Sequence, residues 1–356
     1  MPSPEVQTAA PSPDVAVPAP RGSEYAQLSR RIRQAGLLDR RPRYYAWKIA
    51  ITAVLLAAGW AAFALVGDSW WQLAVAAYLA VMFTQVGFLG HDAGHRQILR
   101  SRKANYVVGV LHGNLGIGLS YGWWVGKHNR HHAHPNQEGA DPDIAIGVLA
   151  FTEPRAGEAR GLARLTFRFQ AYLFFPMLLL EAVSLHVASI RSLSSRASRY
   201  RAWETRLLAV HFAAYLAAVF LVLSPVKAVV FVLVQQGLFG LYLGSSFAPN
   251  HKGMPILDAT DRTGFLRRQV LTSRNVRGGR LTDLVFGGLN YQIEHHLFPR
   301  VAHVHYPRIA EIVRRNAAQH GVRYTVQPSL WRALRSHHRH VRALGRVGMP
   351  VEIEMG

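Results

Sequence analysis

The sequence predicts an all-α integral membrane protein, with four transmembrane helices paired in two hairpins and a cytosolic helical cap. Three observations carry this prediction. Half of the 356 residues are hydrophobic and only 17% are charged. The apolar residues gather in runs of about 20, the length needed to cross a hydrocarbon core of ~30 Å. The formal charge is +21, and the arginines lie between the apolar runs, as expected where basic loops stay in the cytosol. A nucleic-acid-binding protein can be equally basic but does not carry such runs, so no nucleic-acid partner is expected.

Residues 1–24 carry Pro2, Pro4, Pro11, Pro13, Pro18 and Pro20 among Ala, Ser and Val. Without a basic leader and an apolar core this is not a secretory signal, and its composition predicts a disordered tail. The folded domain is expected over 25–340. A basic run from Arg30 to Arg43 precedes a first span, roughly Tyr45–Val66. Gly67-Asp68-Ser69 turns the chain, and Trp70-Trp71, suited to a membrane interface, open a second span ending near Gly90. So short a link makes a helical hairpin whose outer ends share one side. The flanking Arg30–Arg43 and Arg96–Lys103 runs put that side in the cytosol.

The second pair is Leu207–Leu223 and Val226–Phe247, broken at Ser224-Pro225. Between the pairs, Phe167–Ile190 is apolar but interrupted by Glu181 and His186. A full span there would export Arg191, Arg196, Arg199, Arg201 and Arg206 against the charge rule. It is therefore expected to lie in the interface, or to enter and return. Residues 91–205 and 248–340 build the cap. The C-terminal stretch with His337, His338 and His340, and the tail 341–356, read as solvated and basic.

The chain has no cysteine, which excludes disulfides, thiolate zinc sites and ordinary Fe–S clusters. Its 18 histidines fall partly into three clusters. His91-Asp92-Ala93-Gly94-His95 sits at the end of the second span, and positions i and i+4 share a helix face. His128-Asn129-Arg130-His131-His132 repeats the pattern with spacings of three and four. Gln292-Ile293-Glu294-His295-His296 is the third. One such pair is commonplace, but three on one side of a cysteine-free membrane chain point to metal. Seven clustered imidazoles exceed what a single zinc takes, and neither an HExxH motif nor spanning Glu-x-x-His pairs are present. Imidazole suits iron, zinc and copper alike, so the ligands leave the element open; two metals sharing the site is the economical solution.

The set HDAGH, HNRHH and QIEHH resembles the three histidine boxes of integral-membrane fatty acid desaturases, HxxxH, HxxHH and QxxHH, across about residues 45–310. The resemblance implies a non-haem di-iron centre that uses dioxygen and two electrons to place a cis double bond in a fatty acyl chain. The carrier would be CoA or a membrane lipid, the delta-9 stearoyl-CoA type included. His91, His95, His128, His131, His132, His295 and His296 would ligate iron, and His251, just after the fourth span, would be an eighth ligand. Gln292 stands where related boxes carry histidine. Asp141, Asp143 and Glu294 could accept ring N–H bonds; His112 and His134 read as interfacial and outer residues. Trp123, Trp124, Phe239, Tyr242 and Phe247 could line an acyl tunnel, though ordinary packing explains each as well.

The sequence has no His-Pro-Gly-Gly haem motif and no dinucleotide fingerprint. Electrons are therefore expected from a separate donor, a ferredoxin with its reductase or a flavin oxidoreductase. One rival is a related di-iron membrane hydroxylase acting on alkanes, carotenoids or acyl chains. Another is a metal transporter, which needs ligands near the bilayer midplane, whereas the clustered histidines lie at span ends or beyond and only His211 falls inside an expected span. Lysine is confined to Lys48, Lys103, Lys127, Lys227 and Lys252; this arginine bias suggests a GC-rich bacterial genome and an inner-membrane location. Chain length and double-bond position are not legible.

Overall fold

The computed structural model describes residues 23–145, 147–194 and 200–347. The first 22 residues of the expected tail, and 348–356 of the C-terminal one, lie outside the described residues. The chain opens with α1 (Glu24–Gln34), where the Ser23 hydroxyl accepts from Ala26 N. Next come α2 (Pro42–Val66), α3 (Gln72–Gly94) and α4 (Arg102–Val110), which runs into a π-helical turn, Leu111–Gly116. Helices α5 (Tyr121–Ala133), α6 (Glu153–Gly157), α7 (Gly161–Leu178) and α8 (Glu181–Ser194) lead to α9 (Arg201–Val222) and α10 (Pro225–His251). After them lie α11 (Phe265–Leu271), β1 (Asn275–Val276), α12 (Arg280–Val285) and α13 (Gln292–Leu297). The last elements are α14 (Tyr306–Gln319), β2 (Val326–Gln327) and α15 (Leu330–Leu344), with β1 and β2 paired in parallel.

Helices α2, α3, α9 and α10 are long and apolar enough to cross a membrane, as the sequence predicts. Pro42 and Pro225 occupy first turns, where a missing N–H costs nothing. On α2, Trp47, Val54 and Leu65 are 71%, 67% and 87% exposed. Large apolar side chains this bare belong against lipid. The two hairpin turns are tied together at the far end. Gln72 Nε2 donates to Phe63 O at 2.6 Å and Gly67 O at 2.9 Å, closing the first. Asp68 accepts from Ser224 N at 2.9 Å and pairs with Lys227 at 3.1 Å, joining it to the second. Between the hairpins Phe63, Phe83, Phe231, Phe239 and Tyr215 form the membrane core. Phe239 belongs to this core, so its role is packing.

Helices α7 and α8 bend by 78° at Leu179-Leu180, so this segment does not cross as a straight span. Gly240 on α10 admits the bend. A Cβ there would lie 2.6 Å from Leu178 O and 2.7 Å from Ala182 N.

The C-terminal stretch departs from expectation. It forms α15 rather than a solvated tail, and Ala333, His337, Val341 and Leu344 bury one face of it. That spacing of four, four and three is an apolar stripe at helical period, and the folded unit therefore continues past residue 340. The His337 ring lies 4.1 Å from Phe174 of α7, and neither of its nitrogens has a partner. On the other side of the same layer, α1, α11, α13 and α14 pack around Leu28, Ile32, Val270, Ile293 and Ile309.

Candidate metal centre

The C-terminal ends of α3, α5 and α10 converge with the short α13. His91 lies in the last turn of α3 and His95 caps it. Helix α5 starts where the Ser120 hydroxyl accepts from Trp123 N, and presents His128, His131 and His132 from its last two turns. His295 and His296 sit on the short α13. His251 is the final residue of α10, inside that helix rather than beyond it. All eight predicted histidines are at most 9% exposed.

They form two groups. Ligand nitrogens of His91, His95, His128 and His295 lie within 4.8 Å of one another, as do those of His131, His251 and His296. His132 stands between the groups, its ring 4.6 Å from those of His95 and His295 and stacked at 4.1 Å on His296.

In the second group every imidazole turns Nδ1 outward to an acceptor. His131 Nδ1 donates to Asp141 at 3.0 Å, His251 Nδ1 to Thr272 O at 3.0 Å, and His296 Nδ1 to Gln269 Oε1 at 2.9 Å. Such bonds fix the tautomer and leave the Nε2 lone pair facing inward. The first group is held more loosely. His91 Nδ1 lies 3.4 Å from Asp92, itself paired with His303 at 3.0 Å, and His295 Nδ1 lies 3.4 Å from Tyr306 Oη.

Burial holds His95, His128, His132, His295 and His296 well below the ordinary imidazole range, so they are neutral with lone pairs available. For His131 burial acts downward too, but Asp143 and Asp141 outweigh it and raise the group. His91 Nε2, His132 Nδ1, His295 Nε2 and His296 Nε2 are buried without a hydrogen-bond partner, each an arrangement costing ~1–3 kcal/mol. His95 Nε2 and His128 Nε2 meet at 2.9 Å. Buried ring nitrogens left without partners are what a pair of cations would satisfy. The residues fit a two-metal site.

Gln292 Nε2 lies 2.9 Å from His251 Nε2, and Asn250 Nδ2 donates to Gln292 Oε1 at 3.3 Å; the glutamine thus faces the second group. Asp143 pairs with Lys127 and stands 3.5 Å from His131. Glu294 departs from expectation and touches no ring histidine. It accepts from Asn275 Nδ2 at 2.6 Å and Tyr324 Oη at 2.9 Å on the opposite face of α13, and burial pushes it up to about 7. His112, in the π turn, bonds Val108 O of α4, and His134 bonds Gln137, so neither joins the two groups. Trp124 stacks on His128 at 4.5 Å and Phe247 lies 6.1 Å from His91, both walls of the centre. Tyr242 donates to Val285 O, a packing role. Gln269, Thr272 and Tyr306 escaped sequence reasoning, because nothing in their local pattern marks them; Asp92, lodged inside the first histidine box, was the one visible signal.

The fatty acid desaturase family model matches residues 68–328. The chain belongs to the fatty acid desaturase family. This desaturase is 29% identical over 315 residues to a Delta(8)-fatty-acid desaturase of Euglena gracilis, covering 85% of this chain and 74% of the relative. An acyl-lipid (9-3)-desaturase of Physcomitrium patens is 30% identical, over 79% of this chain and 55% of its own length. A Delta(5) fatty acid desaturase of Caenorhabditis elegans is 29% identical, over 85% of this chain and 69% of its own. With its four apolar helices, the desaturase is an integral membrane oxidoreductase acting on fatty acids.

Proposed function

We propose that this desaturase inserts a cis double bond into a fatty acyl chain at a non-haem di-iron centre, using dioxygen and electrons from a separate donor. The observation that carries the reading is the double nest of inward Nε2 atoms, one formed by His91, His95, His128 and His295, the other by His131, His251 and His296. His132 lies between them. Bound there, iron supplies the activation of dioxygen that breaking an alkyl C–H bond demands. The protein's own residues do the rest. Asp141, Thr272 and Gln269 keep the protons on the outer ring nitrogens. Trp124 and Phe247 cover the centre and exclude water.

A saturated chain offers no polar handle, so it must be held by shape and by its head group. A cavity of about 1130 Å³ begins at His95, walled by Val107, Val110, Val125 and Leu207. Arg96, Arg102, Lys103 and Arg300 also line it, and among the described residues none of the four pairs with a carboxylate. We read the apolar wall as the acyl seat and the cations as the anchor of an anionic head group, a lipid phosphate or CoA. The acyl-lipid name of the Physcomitrium patens relative supports a lipid carrier, and the names Delta(8) and Delta(5) support a position other than delta-9. The metal layer faces the cytosol in this proposal, since the Arg30–Arg43 run joins it, and the arginine bias supports a bacterial inner membrane. An acidic ferredoxin or a flavin oxidoreductase would meet that basic face.

The test is expression with a compatible donor, followed by mass spectrometry that locates the new double bond. Loss of two hydrogens supports the reading. A product gaining one oxygen instead identifies a hydroxylase and overturns it.

A further inference from the structure

The last carbonyls of a helix need donors from outside it, and Pro249 deprives the end of α10 of one N–H. One distant segment supplies them. Arg274 Nε donates to Pro249 O at 2.6 Å, Arg274 N donates to Asn250 O at 3.0 Å, and Nη2 reaches Lys252 O. Two residues earlier, Thr272 O accepts from His251 Nδ1 at 3.0 Å. The stretch 272–274 therefore grips His251 twice, through its ring and through the backbone on both sides of it.

Arg274 is 1% exposed and heads the fully buried side chains by volume. Among the described residues it meets no carboxylate. A buried unpaired charge is costly, and two features offset it here: several oxygen acceptors and the negative end of the α10 dipole. Burial pushes the guanidinium down to about 10, which leaves it charged at neutral pH. Its remaining nitrogen, Nη1, donates to Ser336 Oγ of α15 at 2.7 Å. Gly253, at φ +86°, lets the turn after α10 approach that helix; a Cβ there would lie 3.3 Å from His340 Cβ and 3.4 Å from Ser336 O. A continuous path thus runs from α15 through Arg274 to His251.

We propose that Arg274 is a positioning residue for the His131–His251–His296 half-site, and that docking of α15 through Ser336 sets that half-site's metal affinity. The proposal rests on the two-metal reading above. The full chain and its Arg274→Gln, Arg274→Lys and Ser336→Ala variants are titrated anaerobically with ferrous iron, and with cobalt(II) for its ligand-field spectrum. Thermal melting of each metal-free protein is followed in parallel.

The wild type should take two equivalents. Arg274→Gln should keep one at wild-type affinity and bind the second ~10–100-fold more weakly, as for other residues that orient metal ligands. Arg274→Lys should recover only part of the loss, because an ammonium cannot reproduce the fork. Ser336→Ala, which leaves the backbone contacts in place, should show a smaller loss in the same equivalent. A merely structural role would weaken both equivalents together with the melting temperature, and that result overturns the proposal. So does an Arg274→Gln chain that binds both equivalents as the wild type does. If Arg274→Gln does not fold, Ser336→Ala decides, and an unchanged second affinity refutes the coupling. A wild type that takes one equivalent fails the two-metal reading instead, so the two failures are distinct.

Discussion

Replacing Asp141 by Asn keeps the shape of the side chain but reverses half of its hydrogen bonding. Three N–H groups converge on the carboxylate: His131 Nδ1 at 3.0 Å, Asn136 N at 2.7 Å and Asp143 N at 2.9 Å. An amide offers one acceptor oxygen and turns an NH2 toward the others. The backbone N–H groups cannot move their protons, whereas the imidazole can. His131 should therefore switch tautomer, accept at Nδ1 and carry its proton on Nε2, the nitrogen that faces His251 and His296. A protonated Nε2 cannot ligate. Losing a hydrogen bond to a charged group costs ~1.5–3 kcal/mol, which at 1.4 kcal/mol per decade matches the ~10–100-fold loss of metal affinity seen for such orienting residues. Asp141 touches none of His91, His95, His128 and His295, so only one of two equivalents should weaken. Anaerobic ferrous titration of Asp141→Asn reads this directly. Equal weakening of both equivalents, or of neither, would refute the tautomer argument.

Three further outcomes are expected. His131→Ala or His295→Ala should abolish desaturation with membrane insertion intact, since both lie outside the spans; product analysis showing more than about a tenth of wild-type activity contradicts their role. Burial, reinforced by Lys252, Arg274, His340 and His338, holds His337 down at about 3, against an ordinary value near 6.5. The undocked state therefore binds the proton first. Docking of α15 is at full strength above about pH 6.5 and loses about 2 kcal/mol by about pH 5, at ~1.4 kcal/mol per pH unit. Limited proteolysis between α14 and α15 should speed up accordingly, and His337→Leu should remove that pH dependence; a pH-independent wild type counts against the account. Gly240→Ala should destabilise by ~1–3 kcal/mol, because the obstacles are the backbone atoms of Leu178 and Ala182; an unchanged melting temperature would show that α8 can shift.

The sequence by itself marked the four spans, their pairing and the seven box histidines, while His251 was singled out only through the family resemblance. Spans are legible because lipid selects on composition over ~20 residues, a local property. The boxes are legible because the i, i+4 rule places His91 with His95 and His128 with His132 before any tertiary contact forms. Tertiary structure decided the remainder. Only the approach of α3, α5, α10 and α13 divides the imidazoles into two groups and leaves His132 between them. Glu294 lies beside two site histidines in sequence, but the short α13 turns it to the opposite face, where Asn275 and Tyr324 take it. At the C-terminus the count of arginines and histidines masked the Ala333–His337–Val341–Leu344 stripe, whose burial requires α7 and α10 already in place. Arg274, Thr272 and Gln269 carry no local signal. Their roles arise from hydrogen bonds between segments distant in sequence, and such bonds exist only once the chain has folded.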